Sequence, residues 1–88
     1  MRGIYRFHVD CGRSGELFGL FVADSAEVEK AIGRRIYFSD VLGKHSEIDG
    51  NLEAKEVTLV SDTPDDVAMF DRLKLTTGYN PLDYLSGG

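Results

Sequence analysis

Residues 17–23 (LFGLFVA) constrain the fold most, because this run is apolar almost throughout and too short for a buried helix. A short apolar run of this kind predicts a strand that is buried on both faces. Upstream, residues 4–9 alternate between apolar and polar, which is typical of a half-buried strand with Tyr5, Phe7 and Val9 on one face and Arg6 and His8 on the other. The glycine-containing residues 10–15 predict a turn between the two strands. We therefore expect an antiparallel hairpin in which the second strand is the more central.

Gly19 interrupts this second strand. A glycine inside a strand indicates either a bulge or a position where another segment packs against bare backbone. The sequence leaves both interpretations open.

A short helix is predicted directly after the hairpin. Asp24 is placed to cap it by accepting a hydrogen bond from the backbone N–H of Glu27. Gly33 predicts a left-handed stop at its other end. The apolar stripe of this helix consists of Val28, Ala31 and Ile32.

A second helix is predicted from Thr63, which is expected to be its N-cap, and Pro64, which suits the first helical position. Asp65 and Asp66 follow, where the helix dipole favours negative charge. Gly78 is expected to close the helical region. The residues predicted to face the core are Val67, Phe70 and Leu73, with Met69 beside them.

Two further strands are predicted at residues 34–38 and 53–60. The order strand, strand, helix, strand, strand, helix predicts an α+β fold with a small four-stranded mixed sheet and two helices. Residues 1–75 are expected to form a single domain, and residues 76–88 a C-terminal tail that packs on it and frays at its end. The tail carries an apolar cluster that is expected to cover part of the core or a sheet edge. Alternatively, the cluster binds a partner or forms a homodimer with a second copy of the chain. The cluster consists of Tyr79, Leu82, Tyr84 and Leu85.

This element order resembles that of a ubiquitin-like β-grasp over roughly the first sixty residues. With Gly87 and Gly88 at the C-terminal end of the sequence, the resemblance implies a ubiquitin-like carrier as one alternative function. A β-grasp carrier runs directly from its last strand into Gly-Gly, whereas residues 61–86 intervene here. The chain is therefore not assigned to that family.

The net charge of −5 argues against nucleic-acid binding by direct phosphate contact, which needs clustered Lys and Arg. It leaves open a basic protein partner or an acidic surface that mimics nucleic acid. No apolar run approaches the roughly 18 residues that a membrane span needs. Because the sequence has one cysteine, an intramolecular disulfide is impossible. We therefore expect a soluble, cytoplasmic protein without membrane contact.

The predicted functional site lies in the polar connection at residues 39–52, between two predicted strands. This connection is longer than most strand links, which favours a binding role. Its 43–49 loop brings basic, acidic and hydroxyl groups close together in sequence. The candidate binding residues are Lys44, His45, Ser46, Glu47 and Asp49.

Alternatives from a different functional class involve the two histidines and the cysteine. His8 and His45 are candidate metal ligands together with nearby carboxylates, although their spacing matches no metal motif. Cys11 with either histidine is a candidate nucleophile and base, although no orienting third group is evident. The preferred prediction is therefore a non-enzymatic interaction module without metal or cofactor, which binds a protein partner through the 43–49 loop and an acidic face.

Overall fold

The computed structural model describes residues 1–10, 15–39 and 48–85, with backbone alone at 38, 39, 48 and 49. Short 3-10 turns lie at Ala54–Glu56 and Pro81–Tyr84. The strands are β1 (Arg2–Asp10), β2 (Glu16–Asp24), β3 (Arg35–Ser39), β4 (Ile48–Asn51), β5 (Val57–Ser61) and β6 (Thr77–Gly78), and the helices are α1 (Ser25–Ala31) and α2 (Pro64–Arg72).

The described strands form two sheets. One has four strands in the order β5-β1-β2-β6, and all of its pairings are antiparallel. The other is the antiparallel pair β3–β4. The predicted α+β class, the β1–β2 hairpin and the two helices are confirmed.

The arrangement of the strands differs from the single mixed sheet predicted from the sequence. Residues 48–51, predicted to be loop, form β4 and pair with β3, so β3 does not join the sheet of β2 in parallel. The predicted crossover and the single mixed sheet of a β-grasp are therefore absent from the described residues. The strand predicted at 53–60 is also shorter, because a 3-10 turn precedes β5.

One face of the four-stranded sheet, here called the core face, carries the main hydrophobic cluster. Phe7, Leu17 and Phe21 are at most 1% exposed on this face, and the Phe21 ring stacks on Tyr5 with centroids 5.8 Å apart. The cluster also includes Val28 and Ala31 of α1, Ile36 of β3, and Leu52. The core therefore lies between this sheet face, α1 and the β3–β4 hairpin.

Helix α2 packs on the opposite face, here called the α2 face. Val67 and Phe70 form a second cluster with Ile4, and Leu20 and Val22 of β2 pack against it. The expectation that β2 is buried on both faces is wrong at one position, because Phe18 on the α2 face is 59% exposed. The cause is that α2 covers the part of this face around Ile4 and does not bury Phe18.

The prediction that Leu73 faces the core with Met69 beside it is also wrong. Leu73 is 53% exposed and Met69 43% exposed. Helix α2 ends at Arg72, so Leu73 is its C-cap, and Lys74 then adopts a left-handed φ of 53°. The chain therefore turns away from the helix axis earlier than the predicted stop at Gly78.

The caps of α1 are close to the prediction. The Asp24 carboxylate accepts a hydrogen bond from the Ala26 N–H at 3.0 Å, one residue before the expected donor Glu27. Gly33 has a φ of 89°, which confirms the left-handed stop. Its N–H donates to the Leu52 carbonyl at 2.7 Å, and the Leu52 N–H donates to the Arg34 carbonyl at 2.9 Å. These bonds fix the base of the β3–β4 hairpin to the end of α1.

Gly19 marks a close backbone approach and not a bulge. A side chain at this position would overlap the Tyr79 backbone, since β6 pairs with β2 there. The Tyr79 N–H donates to the Phe18 carbonyl at 3.0 Å. Beyond β6, four half-buried residues pack against the main cluster: Tyr79, Leu82, Tyr84 and Leu85. The domain boundary at residue 75 and the homodimer through this segment stay predictions.

Candidate functional site

Most of the predicted binding residues lie outside the part of the chain that the structure describes. This holds for Lys44, His45, Ser46 and Glu47. Asp49 belongs to β4, where its backbone is paired with Tyr37. Because β4 begins at Ile48, the segment that joins the two strands is residues 40–47 and not the longer 39–52 connection. The role of the 43–49 loop stays a prediction.

The described residues contain a second candidate site, on the part of the α2 face that α2 leaves uncovered. In the β1–β2 register, Arg6 is opposite Leu20 and His8 is opposite Phe18. Residues directly opposite in an antiparallel pair project from the same face, so these four side chains form one surface. Together with Glu16 and Thr77 they line an open groove of about 450 Å³, here called the Phe18 groove.

The lining of the Phe18 groove is mainly apolar, with polar groups at its border. Phe18 is 59% exposed, and Leu20 beside it is half-buried. Such an arrangement suits the recognition of an apolar side chain by desolvation, with polar groups that fix its orientation.

Most charged groups around the groove already have partners. His8 Nε2 lies 3.3 Å from Glu16 Oε2. On the β5 side, Lys55 Nζ lies 3.4 Å from Glu53 Oε2, and Glu56 Oε1 accepts from the Glu53 N–H at 2.9 Å. The exposed Arg6 side chain has no ion pair or hydrogen bond with any residue that the structure describes. The groove therefore offers, beside its apolar surface, a guanidinium that has no charged partner among the described residues.

The described residues do not bring together the side chains that the metal-site and nucleophile alternatives require. His8 contacts Glu16, whereas Cys11 and His45 lie outside the described ranges. Within residues 1–10, 15–39 and 48–85, no group of three or more His, Cys, Asp or Glu side chains is arranged to hold a metal ion.

Two shifted pKa values belong to structural contacts outside the groove. Burial raises the pKa of the Tyr5 phenol, and the negative charges of Asp62, Glu29 and Asp24 raise it further. The hydrogen bond from the Ala26 N–H lowers the pKa of Asp24, and the Met1 amino group adds to this effect. The two shifts favour the neutral form of the phenol in the core and the ionised form of the carboxyl at the helix cap.

Sequence reasoning missed Arg6 and Phe18 as site residues, although part of the signal was present. The alternation of β1 correctly places Arg6 and His8 on the face opposite Tyr5 and Phe7. The apolar run of β2, however, predicts that Phe18 is buried. Phe18 is exposed because α2 does not extend over it, and this is visible only in the folded structure.

Comparison with protein-family models, with curated proteins and with solved structures finds no match for this chain. Among the described helices, none has the length and apolarity required to cross a membrane. The cytoplasmic location stays a prediction.

Proposed function

We propose that this chain is a small non-enzymatic interaction module, of the adaptor or inhibitor type, that binds a protein partner through the Phe18 groove. The observation that carries the proposal is the 59% exposure of Phe18 on the part of the α2 face that the helix leaves uncovered. Exposed aromatic side chains are enriched at protein interfaces, where their burial often supplies much of the binding energy. Phe18 is accordingly the proposed anchor of the interface.

The surroundings of Phe18 support this proposal. Leu20 extends the apolar surface, and polar or charged side chains surround it, namely Arg6, His8, Glu16 and Thr77. A central apolar contact inside a polar rim is the usual anatomy of a protein interface. The rim excludes water from the centre, which strengthens the contacts made there.

The 43–49 loop and the acidic side chains remain part of the proposal as additional contacts. At the start of α2, Asp62 and Asp65 are exposed, and Asp66 is half-buried and accepts a hydrogen bond from Ser61 Oγ at 2.7 Å. Replacing Lys44, His45 and Glu47 together by Ala should change folding stability little, by about 0.5 kcal/mol or less per site. Loss of partner binding in a variant that remains folded supports a role for the loop. Unfolding of this variant, with normal binding by its folded fraction, contradicts that role.

The proposal is tested by comparing partner capture by the wild-type chain and by two single variants. Phe18→Ser removes the proposed anchor, whereas Met69→Ser removes an exposed apolar side chain of α2 that does not line the groove. We expect proteins retained from a lysate by the wild type to be lost with Phe18→Ser and kept with Met69→Ser. The loss should correspond to about 2 kcal/mol or more, as for other interface hot spots.

Circular dichroism must show that both variants are folded. Equal capture by the wild type and Phe18→Ser contradicts binding through the groove. Loss with Met69→Ser alone would place the interface on the exposed side of α2.

A further inference from the structure

We propose that the Phe18 groove takes an extended acidic segment of the partner protein. A carboxylate of that segment binds Arg6, and an apolar side chain two residues away packs on Phe18. This inference depends on the proposed interaction function and specifies the chemistry of its partner.

The sign of the required charge follows from Arg6, whose guanidinium lies in the lining of the groove. The nearby carboxylates contact other side chains: Glu16 Oε2 lies 3.3 Å from His8 Nε2, and Glu53 contacts Lys55. Arg6 is exposed and has no charged partner among the described residues, so it is the side chain in the groove that is available for an opposite charge. A guanidinium binds a carboxylate through paired, charge-assisted hydrogen bonds. A basic segment would instead bring a second positive charge next to the Arg6 guanidinium.

The spacing of the two contacts matches an extended peptide. Arg6 is directly opposite Leu20, so Phe18 is its diagonal neighbour on the adjacent strand. Diagonal neighbours in an antiparallel pair are about 7–8 Å apart. Alternate side chains of an extended chain are separated by about 6.5–7 Å and project to the same side. A carboxylate at one position and an apolar side chain two residues later therefore reach Arg6 and Phe18 together.

The shape of the groove also favours a polypeptide segment. The groove is open along the sheet surface, and its floor includes Leu20 between β1 and β6. An extended segment lies along such a surface without needing an enclosed cavity. Thr77 at the border offers a hydroxyl group to the polar backbone of the segment.

The test uses the full chain labelled with ¹⁵N and four capped peptides. The first probe is Ac-Ser-Glu-Ser-Leu-Ser-NH₂, which has the proposed spacing. Its Gln and Lys analogues replace the Glu at the second position by a neutral and by a positively charged side chain. Ac-Ser-Glu-Leu-Ser-Ser-NH₂ has the same composition as the first probe but places the two side chains next to each other. Amide shifts of Arg6, Phe18 and Leu20 report binding at the groove.

We expect the first peptide to bind at the groove about threefold to tenfold more tightly than its Gln analogue, as for a partly exposed charged contact. The Lys analogue and the peptide with adjacent side chains should bind more weakly still. Arg6→Gln should remove the difference between the Glu and Gln peptides, and Phe18→Ser should weaken all four. Lys74→Gln, which removes a positive charge outside the groove, should leave the order unchanged.

Several outcomes overturn the inference. The inference is wrong if the Lys peptide binds most tightly, or if the two Glu peptides with different spacings bind equally. It is also wrong if millimolar peptide causes no amide shift at the groove. Concentration-dependent broadening of the same amides without peptide also overturns it, because a second copy of the chain would then occupy the groove.

Failure of this inference is distinguishable from failure of the proposed function. If Phe18→Ser abolishes partner capture while the peptides show no acidic preference, the interaction function stands and the partner chemistry is wrong. If Phe18→Ser leaves capture unchanged, the interaction through the groove is wrong whatever the peptides show.

Discussion

Phe18 and Phe21 are the same residue type on the same strand but lie on opposite faces of the sheet. Replacing each by Ala therefore compares how much each face contributes to stability. Phe21 is 1% exposed within the main cluster, whereas Phe18 is 59% exposed. Phe21→Ala should lower the free energy of unfolding by about 3–5 kcal/mol, since it removes a buried ring and leaves a cavity. Part of this loss is the stacking on Tyr5, which is worth about 0.5–1.5 kcal/mol.

Phe18→Ala should cost about 1 kcal/mol or less. Full burial of a Phe side chain contributes about 1.5–3 kcal/mol, and Phe18 buries less than half of its surface. The measurement is urea unfolding followed by circular dichroism, with the slope of the transition compared among variants. If Phe21→Ala is too unstable to measure, Phe21→Leu removes about three carbon groups and should cost about 2 kcal/mol.

Equal losses for Phe18→Ala and Phe21→Ala would refute the assignment of faces. A larger loss for Phe18→Ala would mean that Phe18 is a core residue. In either case the Phe18 groove would lose its structural basis.

Three further predictions concern backbone packing, a helix start and a titrating cap. Gly19→Ala should destabilise the chain by about 1–3 kcal/mol in urea unfolding, because its Cβ would lie about 2.5 Å from the Tyr79 backbone nitrogen. Gly50→Ala is the control and should show no such loss, because Gly50 has open space around it. Ser61→Ala should cost about 1–2 kcal/mol, because it removes the 2.7 Å hydrogen bond to Asp66. Thr63→Ala should have a smaller effect in the same assay, because the Thr63 side chain makes no capping hydrogen bond. Because the pKa of Asp24 is lowered in the folded chain, its carboxylate should stabilise the fold at pH values above the ordinary Asp pKa. This contribution should disappear as the pH falls through the lower pKa of the folded state. NMR titration of the Asp24 carboxyl checks the direction of the shift, and a midpoint at or above the ordinary Asp range contradicts it.

The sequence predicts those elements whose signals are local. Asp24 and Gly33 mark the two ends of α1, and both act near the predicted positions. Pro64 begins α2 as predicted. The alternation of β1 assigns its two faces correctly, since Phe7 is buried and Arg6 exposed. Caps and strand periodicity depend on neighbouring residues, so they are readable without knowledge of tertiary contacts.

The remaining features depend on contacts between distant segments. Residues 48–51 (IDGN) lack a strand pattern, and their pairing with β3 becomes evident only in the folded chain. The exposure of Phe18 depends on how far α2 covers the sheet. The apolar sequence of β2 does not predict this coverage. The pairing that places Arg6 and Phe18 diagonally requires the β1–β2 register. The groove is therefore a property of the tertiary structure.

Photo-crosslinking from position 18 tests whether a partner protein binds at the Phe18 groove. The photoreactive residue p-benzoylphenylalanine replaces Phe18 in one variant and Met69 in another, because both side chains are exposed but only Phe18 lines the groove. After irradiation in cells, we expect a partner protein attached to the chain at position 18 and none at position 69. Crosslinking at position 69 without crosslinking at position 18 would mean that the partner binds the exposed side of α2 and not the groove.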